Sequence, residues 1–85
     1  MGSLSKLPNI GHVLETQLKE AGINTPEELR EAGSREAWLR IRSMDPSACY
    51  NRLCALEGAI QLMRWHDLTP EVKGNLKEFY SEHKR

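Results

Sequence analysis

Three dipeptides that start helices constrain the fold of this chain more than any other feature. Thr25-Pro26, Asp45-Pro46 and Thr69-Pro70 each place a side-chain oxygen directly before a proline. Such an oxygen accepts a hydrogen bond from the first turn of a helix, and proline fits the first helical position because its missing N–H has no helical partner there. The chain is therefore expected to fold as short helices with fixed starting points.

The first half of the chain predicts three of these helices. Apolar residues at helical spacing favour a helix of about three turns over Val13 to Ala21, and Gly22 is placed to end it. Thr25 starts a second helix that ends near Gly33. A third follows to about Met44, with its apolar face turned towards the core.

The second half predicts the longest helix and a shorter last one. Asp45-Pro46 is expected to open a helix that runs to about Arg64 and is contacted on two sides. In the helix that starts at Thr69-Pro70, Gly74 costs about 1 kcal/mol relative to alanine, which suggests close packing or fraying there. No segment has the alternation typical of a strand. The sequence therefore predicts an all-α fold, a compact bundle of about five short helices.

Length and charge limit the functions open to this chain. A chain of 85 residues buries only about 60–65% of its unfolded surface, which leaves little room for an active-site cleft. Twelve Lys and Arg balance twelve Asp and Glu, so there is no global positive field for non-specific nucleic-acid binding. No nucleophile elbow, nucleotide-binding loop or paired-carboxylate signature is present. We predict neither an enzyme nor a cofactor.

Cysteine spacing and hydropathy predict a cytoplasmic protein. Cys49 and Cys54 lie on one predicted helix, where their Cα atoms would be roughly 8–9 Å apart, beyond the ~7 Å reach of a disulfide. We therefore expect reduced thiols. No apolar run approaches the ~18 residues of a membrane span, and no secretory signal is visible.

The segment Leu7-Pro8-Asn9-Ile10-Gly11 predicts a tight turn before the first helix. In helix-hairpin-helix units, such a turn presents backbone N–H groups to a phosphate. The candidate phosphate or DNA contacts are Lys6, Asn9, Gly11 and His12. The alternative is that the turn only sets the angle of the helix. A second hairpin at Asp45-Pro46 is not expected, because the proline lacks an N–H and the aspartate is negative.

Five arginines gather in the middle of the chain as a candidate basic patch for a partner or DNA. They are Arg35, Arg40, Arg42, Arg52 and Arg64. If Arg40 and Arg42 emerge beside Arg52, they can hold phosphates or an acidic partner. The alternative is a set of solvated or salt-bridged side chains, which are common and individually worth little.

The turn Trp65-His66-Asp67-Leu68 is a candidate partner surface through Trp65, His66 and Leu68. One histidine beside one carboxylate has too few ligands for zinc, so no metal site is predicted. The alternative is that Trp65 closes the core while His66 or Asp67 satisfies backbone groups in the turn.

Several stretches together resemble the C-terminal domain of the TfoX (Sxy) family of bacterial competence regulators. The most specific are Glu36-Ala37-Trp38-Leu39-Arg40-Ile41-Arg42, Ala55-Leu56-Glu57-Gly58-Ala59-Ile60-Gln61 and Arg64-Trp65-His66-Asp67-Leu68. The resemblance implies a helix-hairpin-helix-like domain over 7–82, between flexible ends at 1–6 and 83–85. It also implies co-activation of competence genes, since longer members act with the cyclic-AMP receptor protein and carry an α+β domain before this one.

Two functional hypotheses follow from the residues and the resemblance. The first is a non-enzymatic interaction module that helps a transcription regulator engage a protein, either the transcription machinery or a TfoX N-terminal-like domain. The second is a weak DNA-binding module that holds a backbone phosphate at the turn before the first helix. Self-association through an exposed apolar surface is a third possibility, so the oligomeric state stays open.

Overall fold

A computed structural model describes residues 4–83 as four α-helices and two short 3-10 helices. In chain order they are a 3-10 helix Leu4–Lys6, α1 (His12–Glu20), α2 (Pro26–Met44), α3 (Tyr50–Ile60), a 3-10 helix Trp65–Asp67 and α4 (Pro70–His83). No strand occurs within residues 4–83, so the all-helical prediction is confirmed. In this part of the chain, every helix is too short or too polar to cross a membrane.

Two helix starts form as their sequences predict. Thr25 Oγ1 accepts a hydrogen bond from Glu28 N at 3.1 Å, and Glu28 Oε1 accepts one from Asn24 N at 2.6 Å. At α4, Thr69 Oγ1 accepts from Val72 N at 3.2 Å. These side chains satisfy backbone N–H groups that have no partner inside the helix.

α2 is interrupted where the sequence predicts that one helix ends and the next begins. Gly33 has non-helical dihedral angles (φ 85°, ψ 159°) inside Pro26–Met44, at the place where the second helix is expected to end. Ser34 is buried, and its hydroxyl donates to Glu57 Oε1 on α3 at 2.6 Å. Counted across this interruption as one element, residues 4–83 have four α-helices rather than about five.

The helix expected from Asp45-Pro46 to about Arg64 is shorter, at Tyr50–Ile60. Asp45 instead caps the C-terminal end of α2. Its Oδ1 accepts hydrogen bonds from Ser47 N at 3.0 Å and Ser47 Oγ at 2.5 Å. An aspartate that bonds the backbone two residues on closes a turn, and this turn replaces the predicted first turn of α3.

All four α-helices contribute to one core, in which Trp38 is the largest fully buried side chain. This indole is fully buried, and its Nε1 donates to Cys49 O at 3.2 Å. The ring centroids of Phe79 and Tyr80, both on α4, lie 6.0 Å and 5.6 Å from that of Trp38. α3 contacts α2, α4 and the second 3-10 helix, and so is the central element that the sequence indicates.

The N-terminal segment belongs to the fold from Leu4 onwards. The predicted flexible N-terminus covers 1–6, of which 1–3 lie outside the described residues. Leu4 is fully buried in the core, and Leu4–Lys6 form a 3-10 helix. At the other end, His83 is the last residue of α4, and 84–85 lie outside the described residues.

Candidate functional site

Asn9 joins the turn before α1 to the turn after α3. Its Nδ2 donates to Met63 O at 2.9 Å and to Ala55 O at 3.3 Å, while its Oδ1 accepts from Trp65 N at 3.1 Å. The residue has a left-handed φ of 70°, which asparagine tolerates better than most residues. We call these three hydrogen bonds the Asn9 bridge. The bridge fixes the two turns against each other.

Gly58 makes room for the bridge on α3. A Cβ at Gly58 would lie 2.5 Å from Asn9 Nδ2, 2.8 Å from Met63 O and 3.1 Å from Trp65 N. The last two atoms are backbone atoms, which cannot move aside as a flexible side chain can. The sequence signal for this contact is only a glycine inside a predicted helix, because Asn9 is 46 to 56 residues away from its partners.

Leu62 ends α3 in the left-handed conformation, with φ 59°. Met63 N donates to Gly58 O at 2.9 Å and Leu62 N to Ala59 O at 3.2 Å. This pair of bonds is a Schellman motif, in which the left-handed residue is usually glycine. The left-handed conformation costs a non-glycine residue about 1–2 kcal/mol. Since the Leu62 side chain is 64% exposed, packing inside the fold recovers little of that cost.

The end of α1 shows the usual solution to the same problem. Ile23 N donates to Leu18 O at 2.8 Å and Gly22 N to Lys19 O at 3.0 Å, with Gly22 at φ 87°. Leu18 and Ile23 are both buried in the core. The sequence predicts this glycine stop correctly. It gives no comparable signal at Leu62.

Two exposed segments are placed side by side by the Asn9 bridge. We call their solvent-facing residues the bridge surface: Lys6, His12, Val13, Leu62, Arg64 and His66. Val13 and Leu62 are large apolar side chains that are 68% and 64% exposed. Lys6 on the first segment and Arg64 on the second are exposed cations, and the exposed carboxylate of the second segment is Asp67. The bridge surface therefore combines exposed apolar side chains with charged side chains that are mainly basic.

The predicted phosphate contacts lie beside the bridge but differ in availability. Lys6, Gly11 and His12 are exposed. Gly11 is the N-cap of α1 and makes no side-chain cap hydrogen bond, so this helix end is open to solvent. The Asn9 amide, in contrast, is already used by the bridge within the fold.

The predicted partner residues after α3 point in different directions. Leu68 is only 4% exposed and belongs to the core. Trp65 is half-buried against the core, and its ring centroid lies 4.0 Å from that of exposed His66. Lys73 Nζ donates to His66 O at 3.1 Å and lies 5.9 Å from the Trp65 centroid. The backbone groups Trp65 N and His66 O are thus satisfied by Asn9 and Lys73, rather than by the expected neighbouring side chains.

Comparison with known proteins identifies the family of this fold. The family model of the TfoX C-terminal domain matches residues 1–80. The chain belongs to this family. Protein Sxy of Escherichia coli strain K12 is 40% identical to the TfoX C-terminal domain described here over 57 residues, which are 67% of this chain and 27% of Sxy. The domain therefore spans about a quarter of the length of that relative.

Two solved structures from Listeria monocytogenes have the same fold as this TfoX C-terminal domain. One is an uncharacterized protein in a triclinic crystal form, with 54% identity and a TM-score of 0.92 over 93% of this chain and 90% of that chain. The other is a protein of unknown function in a tetragonal form, with 54% identity and a TM-score of 0.89 over 92% and 96%. The family that the sequence resembles is confirmed.

Arg40 and Arg52 of this TfoX C-terminal domain are engaged in ion pairs. Arg40 Nε donates to Glu36 Oε2 at 3.0 Å, and its Nη1 donates to Ala21 O at 3.4 Å. Arg52 Nη1 donates to Asp45 Oδ2 at 3.0 Å, and these two side chains are 25% and 30% exposed. The two arginines thus contact different neighbours, at the end of α1 and at the end of α2.

Arg35 and Arg42 lie against aromatic rings between α2 and α4. The Arg42 guanidinium carbon is 5.4 Å from the Trp38 ring centroid, and its Nη1 donates at 2.9 Å to a backbone carbonyl at the end of α4. The guanidinium carbon of Arg35 is 5.8 Å from the Phe79 centroid. Both distances fall within the range of cation–π contacts. Arg64, which is exposed, is the member of the predicted patch that lies on the bridge surface.

Asp45 connects three elements of the TfoX C-terminal domain through its carboxylate. Besides Ser47, its donors are Gln17 Nε2 on α1 at 2.9 Å and Arg52 Nη1 on α3. The hydrogen bonds from Ser47, and then those from Arg52 and Gln17, hold the pKa of Asp45 well below its usual range. A negative charge fixed in this turn makes it a poor phosphate site.

In the described part of the chain, the cysteine thiols and the side chains that could bind a metal ion do not form a cluster. Both cysteines are free. Cys49 is exposed at the start of α3, whereas Cys54 is buried, and burial raises the pKa of its thiol. Burial likewise raises the pKa of Tyr50 to about 12. Within residues 4–83, no group of three or more His, Cys, Asp or Glu could hold a metal ion.

An open groove of about 350 Å³ lies between the end of α1 and α2. Its lining residues are Gly22, Ile23, Glu28, Glu31, Ala32 and Arg40. Glu28 and Arg40 are already bonded to Asn24 N and to Glu36, so the groove has structural ion pairs and caps rather than a nucleophile beside a base. None of these lining residues belongs to the bridge surface.

Proposed function

We propose that this TfoX C-terminal domain is a protein-interaction module of a competence regulator and that it contacts its partner through the bridge surface. Membership of the family supports the regulatory role. The observation that carries the contact surface is the pair of exposed apolar side chains, Val13 in the first turn of α1 and Leu62 in the turn after α3, near the two ends of the Asn9 bridge. Exposed apolar groups with a polar surround mark interaction sites.

Three features of the domain favour a protein over DNA as the partner. The charges balance over the whole sequence, so any attraction to phosphates is local. Four of the five central arginines have partners within the fold. The amide of Asn9, finally, is used by the bridge. Protein interfaces, in contrast, take their binding energy from a few buried apolar and aromatic contacts.

Weak DNA binding is a second candidate function because one observation favours it. The N-terminal end of α1 has no side-chain cap at Gly11, and Lys6 and His12 are exposed beside it. Backbone N–H groups at such an end attract anions through the helix dipole. In this hypothesis, the Pro8-Asn9 turn and α1 act as a helix-hairpin-helix-like unit that holds one backbone phosphate.

A titration at two ionic strengths separates these functions. Labelled duplex DNA is titrated with the domain at about 50 mM and about 200 mM salt, a range over which phosphate contacts lose much of their affinity. In parallel, RNA polymerase and the cyclic-AMP receptor protein are immobilised, and binding of the domain is followed by biolayer interferometry. We expect binding to a protein partner and no DNA binding at either salt concentration.

Charge-changing variants provide the control for this titration. Lys6→Glu with Gly11→Asp removes the cation and blocks the helix end, while Arg30→Glu makes a comparable change on the exposed face of α2. DNA binding with a steep salt dependence, lost in the first variant and kept in the second, would establish the DNA function and refute the protein function.

A further inference from the structure

We infer that Leu62 is the anchor of the bridge surface and that this surface takes an acidic segment of a partner protein carrying a large apolar side chain. This inference rests on the proposed function, since it names the chemistry of the partner. Four steps support it: backbone strain at Leu62, rigid presentation, the charge of the surround, and the lack of a stacking ring.

The backbone at Leu62 is strained for a side chain that the fold does not use. The two Schellman motifs of the domain have the same hydrogen bonds, but α1 has Gly22 at the left-handed position and α3 has Leu62. Glycine would adopt φ 59° without strain. The leucine side chain is 64% exposed, so it contributes little to folding. Strained residues of this kind are found where a ligand or partner binds.

The surrounding hydrogen bonds present Leu62 rigidly. Met63 N is held by Gly58 O at 2.9 Å, and Met63 O accepts from Asn9 at 2.9 Å, so both peptide groups that follow Leu62 are fixed. A side chain on a fixed backbone loses less conformational entropy on binding than one on a mobile loop. Leu62 is therefore suited to be a binding anchor.

The charged groups around Leu62 favour an acidic partner. Arg64 follows two residues later and is exposed, and Lys6, which precedes Asn9 by three residues, is exposed as well. Lys73 Nζ is fixed beside the same turn by His66 O. Against these cations the turn has the exposed Asp67. Charges of opposite sign on the partner would raise the association rate and exclude basic competitors.

Nucleic acid is a poorer fit to this anchor. Proteins that bind single strands stack bases on exposed aromatic rings. Leu62 is aliphatic, and the nearby Trp65 ring is half-buried with His66 and Lys73 placed against it. A partner side chain that is apolar and flanked by carboxylates therefore matches the surface better than a base and a phosphate do.

Three synthetic peptides test the inference by NMR titration of the ¹⁵N-labelled domain. The first is an acidic amphipathic helix with leucines on one face, the second has serine at the leucine positions, and the third has lysine at the acidic positions. We expect the first peptide to bind at least about tenfold more tightly than the other two, with shifts at the bridge surface.

Two variants at Leu62 and one control test the anchor. Leu62→Gly and Leu62→Asn each introduce a residue type that accepts the left-handed conformation. Both variants should weaken binding of the acidic leucine peptide about tenfold or more. Met44→Ser removes an exposed apolar side chain elsewhere and should change the affinity less than about twofold. Leu62→Gly relieves the backbone strain, so the Tm of this variant should be no lower than that of the wild type. A loss of binding in a variant with such a Tm cannot be explained by unfolding.

Several outcomes would overturn the inference. They are wild-type affinity in Leu62→Gly, equal binding of the acidic and the lysine peptide, no binding of the acidic leucine peptide, or tighter binding to anionic phosphatidylglycerol vesicles than to that peptide. If RNA polymerase or the cyclic-AMP receptor protein binds and Leu62→Gly binds equally well, the inference is wrong while the proposed function stands. If neither protein binds but the peptide result depends on Leu62, the inference stands and those two proteins are excluded as the partner.

Discussion

Replacing Gly58 by alanine should destabilise the domain although alanine is the better helix former. Gly58 is buried inside α3, and an added Cβ would lie 2.5 Å from Asn9 Nδ2 and 2.8 Å from Met63 O. Gly74 provides a matched control, because it is exposed inside α4 and an added Cβ there would meet nothing within 4 Å. The two substitutions have the same effect on the unfolded chain, so their difference reports the folded state.

The expected size of the effect follows from opposing contributions. Alanine is favoured over glycine in a helix interior by about 1 kcal/mol. Forcing an extra carbon into a closed space costs about 1–3 kcal/mol. If the bridge opens instead, each lost hydrogen bond costs about 0.5–1.5 kcal/mol. Two of the three atoms close to the added Cβ are backbone atoms, so we expect the upper half of the overpacking cost and a net loss of about 1–2 kcal/mol for Gly58→Ala, against a gain of about 1 kcal/mol for Gly74→Ala.

Thermal and urea unfolding followed by circular dichroism would measure this difference. For a domain of this size, each kcal/mol shifts the Tm by about 4–8 °C, so Gly58→Ala should melt about 10 °C below the wild type and Gly74→Ala about 5 °C above it. In an Asn9→Gly background, the loss from Gly58→Ala should be smaller by about 1 kcal/mol, because the nearest overlapping atom is gone. If Gly58→Ala is neutral or stabilising, the tight contact at the bridge is wrong.

Three further predictions concern Leu62, Asp45 and the cysteines. Leu62→Gly should raise the free energy of unfolding by about 1 kcal/mol in urea titrations because it relieves the left-handed backbone; a loss of stability would show that the leucine packs in the fold. Asp45→Asn should lower stability at neutral pH, and since the folded pKa of Asp45 is depressed, its stabilising effect is present above the ordinary value of 3.8 and is lost as pH falls below it. Urea midpoints of wild type and Asp45→Asn should accordingly converge in acid, and a constant difference down to about pH 2 would contradict this. A thiol reagent should modify Cys49 quickly and Cys54 only on unfolding, which mass spectrometry of the native protein would check, because Cys54 is buried with a raised pKa.

Local sequence signals predicted the parts of the fold that depend on neighbouring residues. Thr25 and Thr69 cap helices as expected, and Gly22 ends α1, because each of these contacts spans only a few residues. Asp45-Pro46 has the same pattern as the two Thr-Pro helix starts, but in the structure it forms a turn. Its carboxylate is held by Gln17 from α1, a partner 28 residues away that the local pattern does not reveal.

The sequence names several residues of the two segments that the Asn9 bridge joins, but it does not predict the bridge. Lys6 and Arg64 belong to separate sets of candidate residues, and nothing in the sequence indicates that one bridge places their segments together. The sequence predicts Asn9 as a phosphate contact because asparagine tolerates left-handed turns. It does adopt that conformation, but its amide bonds to the turn after α3. Leu62 was missed because the predicted helix continued to Arg64, so no helix end was expected at that residue.

The Asn9 bridge also bears on the order in which the domain folds. Its hydrogen bonds join residues 46, 54 and 56 positions apart, and so close the widest loops among the side-chain hydrogen bonds of the described residues. Loop-closure entropy has to be overcome before such contacts contribute, so they are expected to form after the local helices and α2–α3 packing. Changes at Asn9 should then leave the refolding rate nearly unchanged and accelerate unfolding. A single amide near the start of the chain would in this way set the lifetime of the native state rather than the speed at which it is reached.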